Sequence, residues 1–94
     1  MNIDFDPAKS ERNARTRGLP FDLERGFDFD SAWIVRDERR DYGEARFRAI
    51  GRMGKVVAVV IFTMRGDALR VISLRLANRK ERLRYEQQKN QDKG

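Results

Sequence analysis

The spacing of apolar residues changes character along the chain. From Asp6 to Arg17 (DPAKSERNARTR) the residues are almost wholly polar, and the ends of the segment rather than its middle predict a helix over 6–17. Asp6 supplies an N-cap acceptor, Pro7 occupies the first helical position where no hydrogen bond is forfeited, and Gly18 offers a left-handed C-cap before Leu19-Pro20. A second short helix is expected over 20–28, carrying Phe21, Leu23 and Glu24. Strand-like patterning begins at 32–35 (AWIV). It continues with the alternating EARFRAIG at 44–51, which sets Ala45, Phe47 and Ala49 on one face and Glu44, Arg46 and Arg48 on the other. The segments VVAVVIFT (56–63) and LRVISLRL (69–76) complete four strands, separated by the turn sequences RMGK and RGD. RDERRD at 36–41 is too polar for a core element and reads as a strand end plus loop. An uninterrupted β-branched run such as VVAVVIFT belongs at the centre of a sheet, because at an edge it would invite aggregation.

Asn78 and Glu81 stand three apart, the spacing of a capping box, and predict a C-terminal helix over 79–88, with 89–94 (KNQDKG) a disordered tail. The expected architecture is therefore α+β and a single domain over 1–94. Two N-terminal helices pack through Ile3, Phe5, Phe21 and Leu23 on an antiparallel sheet of about four strands spanning 32–76.

Composition narrows the chemistry. The 94 residues carry no cysteine and no histidine, which removes disulfides, thiolate nucleophiles, the commonest metal ligands and the usual general base near neutral pH. No metal site or cofactor is expected, and no P-loop, dinucleotide-binding glycine pattern or nucleophile elbow is present. Lysine and arginine (21) outnumber aspartate and glutamate (15) for a net charge of +6. The excess lies in the second half: residues 1–30 hold five bases against seven acids, 31–74 nine against five, and 75–94 seven against three. Such a field suits RNA, an acidic protein or an anionic surface. Neither a signal segment nor an apolar run of membrane-spanning length appears, so the expected location is the cytoplasm.

Four segments taken in order resemble BrnT-type toxins, the toxin half of a bacterial type II toxin-antitoxin pair. They are FDPAKSERN at 5–13, RGLPF at 17–21, GEARFRAIG at 43–51, and VVIFTMRG at 59–66 leading into RVISLRLANRKERLRY, which ends at Tyr85. The resemblance implies a compact RelE-like fold and a ribonuclease that arrests translation by cleaving RNA. It also implies a cognate antitoxin that neutralises the toxin in an even-numbered hetero-assembly, with an acidic segment covering the basic RNA surface. One departure bears on mechanism. Where the family commonly shows Lys-His-Gly this chain has Thr16-Arg17-Gly18, so a histidine-based reaction is untenable here.

Metal-independent RNA cleavage needs an activated 2′-hydroxyl, positive donors around the pentacoordinate phosphorane and an acid for the 5′-oxygen. Without histidine these roles fall to arginine and lysine, with carboxylate or phenol help. The catalytic candidates are Lys9, Arg46, Arg65, Arg75 and Tyr85. Lys9 sits in a first helical turn, where the macrodipole disfavours a cation. Arg46 and Arg75 come from different strands of one face, Arg65 adjoins Gly66 at a hairpin turn within the matching VVIFTMRG, and Tyr85 follows Glu81 by one helical turn. Arg65 is the leading single candidate. Arg12, Arg48, Arg79, Lys80 and Arg82 are expected to bind RNA, with Arg84 extending the basic helix end. Trp33 and the phenylalanines are assigned to the core rather than to base stacking. The alternative is a non-catalytic nucleic-acid-binding or co-repressor module, and beyond it a protein-interaction domain that ignores RNA.

Overall fold

The computed structural model of the chain describes residues 2–19, 26–39 and 41–92. Within them run β1 (Asn2–Asp4), α1 (Pro7–Arg17), β2 (Trp33–Arg36), β3 (Phe47–Met53), β4 (Val56–Arg65), β5 (Ala68–Leu76) and α2 (Arg79–Asp92). The strands form one sheet in the order β1-β5-β4-β3-β2, which places β4, the VVAVVIFT run, at its centre as expected. β2 to β5 make an antiparallel meander, and β1 adds a fifth strand, parallel to β5, through Asn2↔Ala68, Ile3↔Leu69 and Asp4↔Arg70. A three-residue strand is too short to show any period, and its partner lies more than sixty positions away, so local patterning could not reveal it.

Helix α1 forms for the reasons its ends give. The Asp6 side chain accepts from Ala8 N at 2.9 Å, and Gly18, at φ 70°, donates its N–H to Ala14 O at 2.9 Å. Because β1 pairs with β5 only as far as Arg70, the outer edge of β5 beyond it needs another partner. Asn13 of α1 provides one, donating its amide to Leu74 O at 2.9 Å and to Leu19 O at 2.6 Å. Beside this contact β5 carries a bulge: Ile61 pairs with Ser73 but Phe62 pairs with Val71, leaving Ile72 as the extra residue.

The expected second N-terminal helix is not found where it can be checked. Residues 20–25, including Phe21 and Leu23, lie outside the described residues; Gly26 is in a turn, and Phe27 forms an antiparallel bridge to Met53. The loop here crosses the sheet closely. A Cβ on Gly51 would stand 2.9 Å from Ala32 Cβ and 3.0 Å from the Phe27 ring, so only glycine allows this approach. Alternation of Phe27 and Phe29 thus reflects chain laid on the sheet, where both rings join the core with Ile3, Phe5 and Leu19. β3 starts at Phe47 rather than Glu44; just before it Arg46 O accepts from Asp37 N and Ala45 O from the Thr63 hydroxyl, each at 2.7 Å.

The capping box forms as its spacing predicts: Glu81 N donates to Asn78 Oδ1 at 2.8 Å, and Asn78 N to Glu81 Oε1 at 2.9 Å. The helix it opens runs to Asp92, four residues past the expected end, so 89–92 are helical rather than a disordered tail. Glu86 to Lys89 are good helix formers, and neither Gly nor Pro interrupts them. One sheet face carries the larger core, built on Ala49, Ala58, Val60, Phe62, Leu69, Val71 and Leu74. The other buries Ile50, Val59, Ala77 and Tyr85 with Trp33, Val57 and Ile61. Burial on both sides explains why the β4 run has no polar alternation. No helix among the described residues is long and apolar enough to cross a membrane.

Candidate functional site

The pairing register lays out that second face in rows, since residues directly opposite one another share a face and the side-chain period along a strand is two. One row runs Trp33, Ile50, Val59, Arg75; the next runs Val35, Arg48, Ile61, Ser73; beyond them Thr63 opposes Arg70, and Arg65 opposes Ala68. The first row holds Ile50, Val59 and Trp33 of the smaller core, where Tyr85 anchors α2. Arg48 and the rows after it lie past that anchor.

Three hollows follow this strip. The largest, about 390 Å³, lies between α2 and the sheet and is lined by Trp33, Arg39, Arg48, Arg75, Asn78, Lys80, Glu81 and Arg84, among others. A groove of about 270 Å³ runs between α1 and the β5 bulge, lined by Lys9, Arg12, Asn13, Thr16, Arg17, Ile72 and Ser73. A third, of about 170 Å³, shares Lys9 and Ile72 with the groove and adds Asp6, Glu44, Arg46, Thr63, Arg65 and Arg70.

In the largest hollow, Arg75 is locked. Its two terminal nitrogens donate to the two Glu81 oxygens at 2.7 and 2.8 Å, a bidentate fork, while Glu81 Oε1 also accepts from Asn78 N. The fork holds the Glu81 carboxyl below its ordinary range and raises the Arg75 guanidinium above its own; hydrogen bonding between the two is the main cause of both shifts. Arg39 is locked in the same way. Its Nε and Nη2 donate to the two oxygens of Asp37 at 2.8 Å each, and Tyr42 Oη donates to Asp37 Oδ2 at 3.2 Å. Asp37 is buried, and the Arg39 hydrogen bonds hold its carboxyl far below the ordinary range despite that burial.

Arg48 is different. Its Nε is buried with no hydrogen-bond partner, and no ion pair joins it to any described residue. Leaving a buried donor unmade costs about 1–3 kcal/mol, and more when the group is charged. Arg48 also lines the hollow, so its guanidinium brings there a charge that no internal carboxylate is hydrogen-bonded to at Nε. Arg84, from the helix above, sits with its guanidinium 5.3 Å from the centre of the Trp33 ring.

The sequence candidates divide between these hollows. Lys9, Arg46 and Arg65 come together in the smallest, where Arg46 is held 3.6 Å from Glu44 and lies 4.2 Å over the Tyr42 ring. Lys9 and Arg65 are exposed there, and Arg70 is paired with Asp4 at 2.6 Å. Arg75 does not join them; it shares the largest hollow with Arg48 and Lys80. Arg12 lines the α1 groove, and Arg79 is exposed on the first turn of α2. Arg82 turns elsewhere, donating to Ala77 O at 3.2 Å beside Arg52 and Lys55.

Tyr85 is a correction. Only 1% exposed, it packs with Ile50, Val59 and Ala77, and its hydroxyl is 3.5 Å from Ser31 Oγ. A phenol so enclosed packs α2 onto the sheet and lines none of the three hollows. The one-turn spacing from Glu81 to Tyr85 puts both on one face of the helix but does not tell a cavity wall from core. Trp33 joins the smaller core as its sequence assignment expected and also lines the largest hollow, as does Arg39, which was not among the candidates. The signal for Arg39 was available in Asp37-Glu38-Arg39, where a loop carboxylate two residues before an arginine can close a fork on it. Among the described residues no three carboxylates gather as a cation site requires.

A family model described as the ribonuclease toxin BrnT of type II toxin-antitoxin systems matches residues 5–81. No curated protein and no solved structure matches the chain. The match covers most of the sequence and includes every strand from β2 to β5, α1, and α2 as far as Glu81, so this chain belongs to the BrnT family of ribonuclease toxins.

Proposed function

We propose that this BrnT-family ribonuclease toxin cleaves single-stranded RNA in the hollow between α2 and the sheet. In this reading Arg48 and Arg75 grip the scissile phosphate, and the chain arrests translation until a cognate antitoxin covers the basic face. The observation that carries the reading is the partnerless Arg48 Nε beside the Arg75–Glu81 fork. Two guanidiniums whose side chains are positioned before substrate arrives meet the negative charge that develops on the phosphorane without reorganising, which is where electrostatic catalysis has its largest effect.

The reaction is a transesterification. The 2′-oxygen attacks the adjacent phosphorus, the bond to the 5′-oxygen breaks, and a 2′,3′-cyclic phosphate is left behind. Glu81 is the one carboxylate lining this hollow, and we assign it the proton released by the 2′-hydroxyl; Lys80, on the same rim, returns a proton to the departing 5′-oxygen. A carboxyl held below its ordinary range is a weak base, so most of the acceleration must come from Arg48 and Arg75. That division suits a chain with no histidine. Lys9, Arg12, Arg46 and Arg65 take the role of a backbone track, binding phosphates away from the cleaved bond through the α1 groove and the smallest hollow. Arg65, the leading candidate from the sequence, is exposed and lies three rows beyond Arg75, which favours binding over chemistry.

The test is cleavage of a single-stranded RNA by purified protein, with growth arrest on expression as the cellular counterpart. Arg48→Ala should lower cleavage about 10²- to 10³-fold and relieve growth arrest with no fall in melting temperature, and cleavage by the unaltered chain should persist in EDTA. An Arg48→Ala protein that cleaves as fast as the unaltered chain and still arrests growth would overturn the assignment. RNA binding without cleavage by the unaltered chain would favour the co-repressor alternative. Co-expression of the neighbouring small reading frame should restore growth, and the copurified pair should sediment as an even-numbered assembly.

A further inference from the structure

We infer that Trp33 and Arg84 form a nucleobase subsite that fixes the register of the RNA on the Arg48–Arg75 phosphate site. The inference rests on the functional reading above, and it goes further by assigning a second kind of contact to the same hollow. Three observations lead to it.

First, Trp33 occupies a double position. It packs against the smaller core beside Ile50, yet it is only half-buried, and it forms part of the wall of the hollow that holds Arg48 and Arg75. Its remaining surface gives that hollow an aromatic wall beside its cations. Second, the exposed Arg84 lies over that ring at 5.3 Å. Two planar faces with a base between them need about 7 Å, so Arg84 must lift by less than 2 Å to admit one, a small adjustment for a long side chain on a helix surface. An indole below and a guanidinium above are the two surfaces on which unpaired bases stack. Third, the spacing suits a nucleotide. Trp33 pairs with Ile50, and Arg48 is two residues from Ile50 on the same face. Trp33 and Arg48 therefore stand one strand and one row apart, about 8 Å between Cα atoms by ordinary sheet dimensions. A base on the indole leaves an adjoining phosphate at Arg48.

Stacking is tolerant of sequence, because every base has a π-face, but Asn78 lines the same hollow and offers an amide to a base edge. The ligand class is thus an unpaired nucleobase joined to phosphate, with discrimination among bases falling to a single side chain. Cleavage of double-stranded RNA is disfavoured, since a paired base cannot enter.

Trp33 is the sole tryptophan of the chain, so intrinsic fluorescence reports on this one position. The probe is a single-stranded 2′-deoxy oligonucleotide, which cannot undergo 2′-attack, titrated into the full chain beside an abasic strand of equal length and inorganic tripolyphosphate. Saturable quenching is expected with the oligonucleotide and absent with the other two. Trp33→Ala should weaken binding measured by anisotropy about 10- to 100-fold and Trp33→Phe much less, since an aromatic ring retains both stacking and core packing. Arg84→Ala, a change on the exposed helix face, should weaken binding several-fold and leave folding intact. Equal quenching by the abasic strand, or tight binding of the oligonucleotide with no change in fluorescence, would overturn the subsite. Neither result bears on catalysis: the phosphate site fails only if Arg48→Ala remains fully active, and that measurement does not involve Trp33.

Discussion

The largest hollow of the basic face is lined, among the described residues, by five cations and one carboxylate and the smallest by four cations and two carboxylates, and the two differ further in how that charge is held. Beside α2, Arg75 is forked to Glu81, Arg39 to Asp37, and Arg48 stands between strands with its Nε unmet. Beside α1, Lys9 and Arg65 extend into solvent, and Arg46, though its Nε is also buried without a hydrogen bond, has Glu44 and the Tyr42 ring against it. Positive charge alone is cheap to place on a surface and attracts any polyanion. A donor that is oriented beforehand and lacks an internal partner is selective, because only an anion in the right position repays its burial. The difference between the two ends is one of how many guanidiniums are fixed by a bidentate carboxylate, and on it rests the proposal that chemistry belongs to the α2 end and binding to the α1 end.

The sharpest way to break that comparison is to remove Arg48. Arg48→Ala should lower the cleavage rate about 10²- to 10³-fold, the loss typical of one donor leaving a preorganised oxyanion site, with no fall in melting temperature. Parallel initial rates and circular-dichroism melts decide it. An equal loss on removing Lys9 would erase the distinction between the two ends.

Next in size is the fork. Arg75→Ala and Glu81→Gln should each cost about 10- to 100-fold, and the double variant little more than either alone, because the two side chains act as one unit. Arg75→Lys sharpens the point. It keeps the charge and loses the planar fork, so orientation predicts a defect near that of alanine whereas charge alone predicts almost none. Smaller again, Lys9→Ala and Arg65→Ala should raise KM several-fold with little change in kcat. Each should also reduce the slope of log affinity against log salt by about 0.7, one single-strand phosphate contact.

The smallest effect is that of pH near neutrality. Asp37 and Glu81 are both held below their ordinary values of 3.8 and 4.5, so the stability their ion pairs contribute is complete above those values and is lost only as pH falls beneath them. With no histidine to titrate, unfolding free energy and cleavage should be nearly flat from about pH 5 to 8 and decline together in stronger acid. A step near pH 6.5 in either would require a group other than these.

How far the sequence foretold this arrangement depends on the range of the signal. The cap of α1, the turns, the central place of β4 and the Asn78–Glu81 box are local, written within a few residues, and each was legible. The pairing of Asn2–Asp4 with β5 was not, nor was the seating of Tyr85 in the core, because both depend on chain brought from far away. The site shows the same division. Arginine on one face of 44–51 and on 69–76 was visible as alternation. Which guanidiniums would be occupied by Glu81, Asp37 or Glu44, and which left free, depended on loops and helix ends whose approach no period encodes.

The Glu81 carboxylate belongs to two structures at once: it closes the first turn of α2 and it clamps Arg75. Folding and competence are therefore coupled in time. α2 follows every strand in the chain, so during synthesis the sheet emerges before Glu81, and until then Arg75 lacks the fork that orients it. Under the proposed function, competence is acquired when the helix docks. It should be lost first by the same route, with fraying of that first turn silencing the enzyme at temperatures where the sheet is still intact.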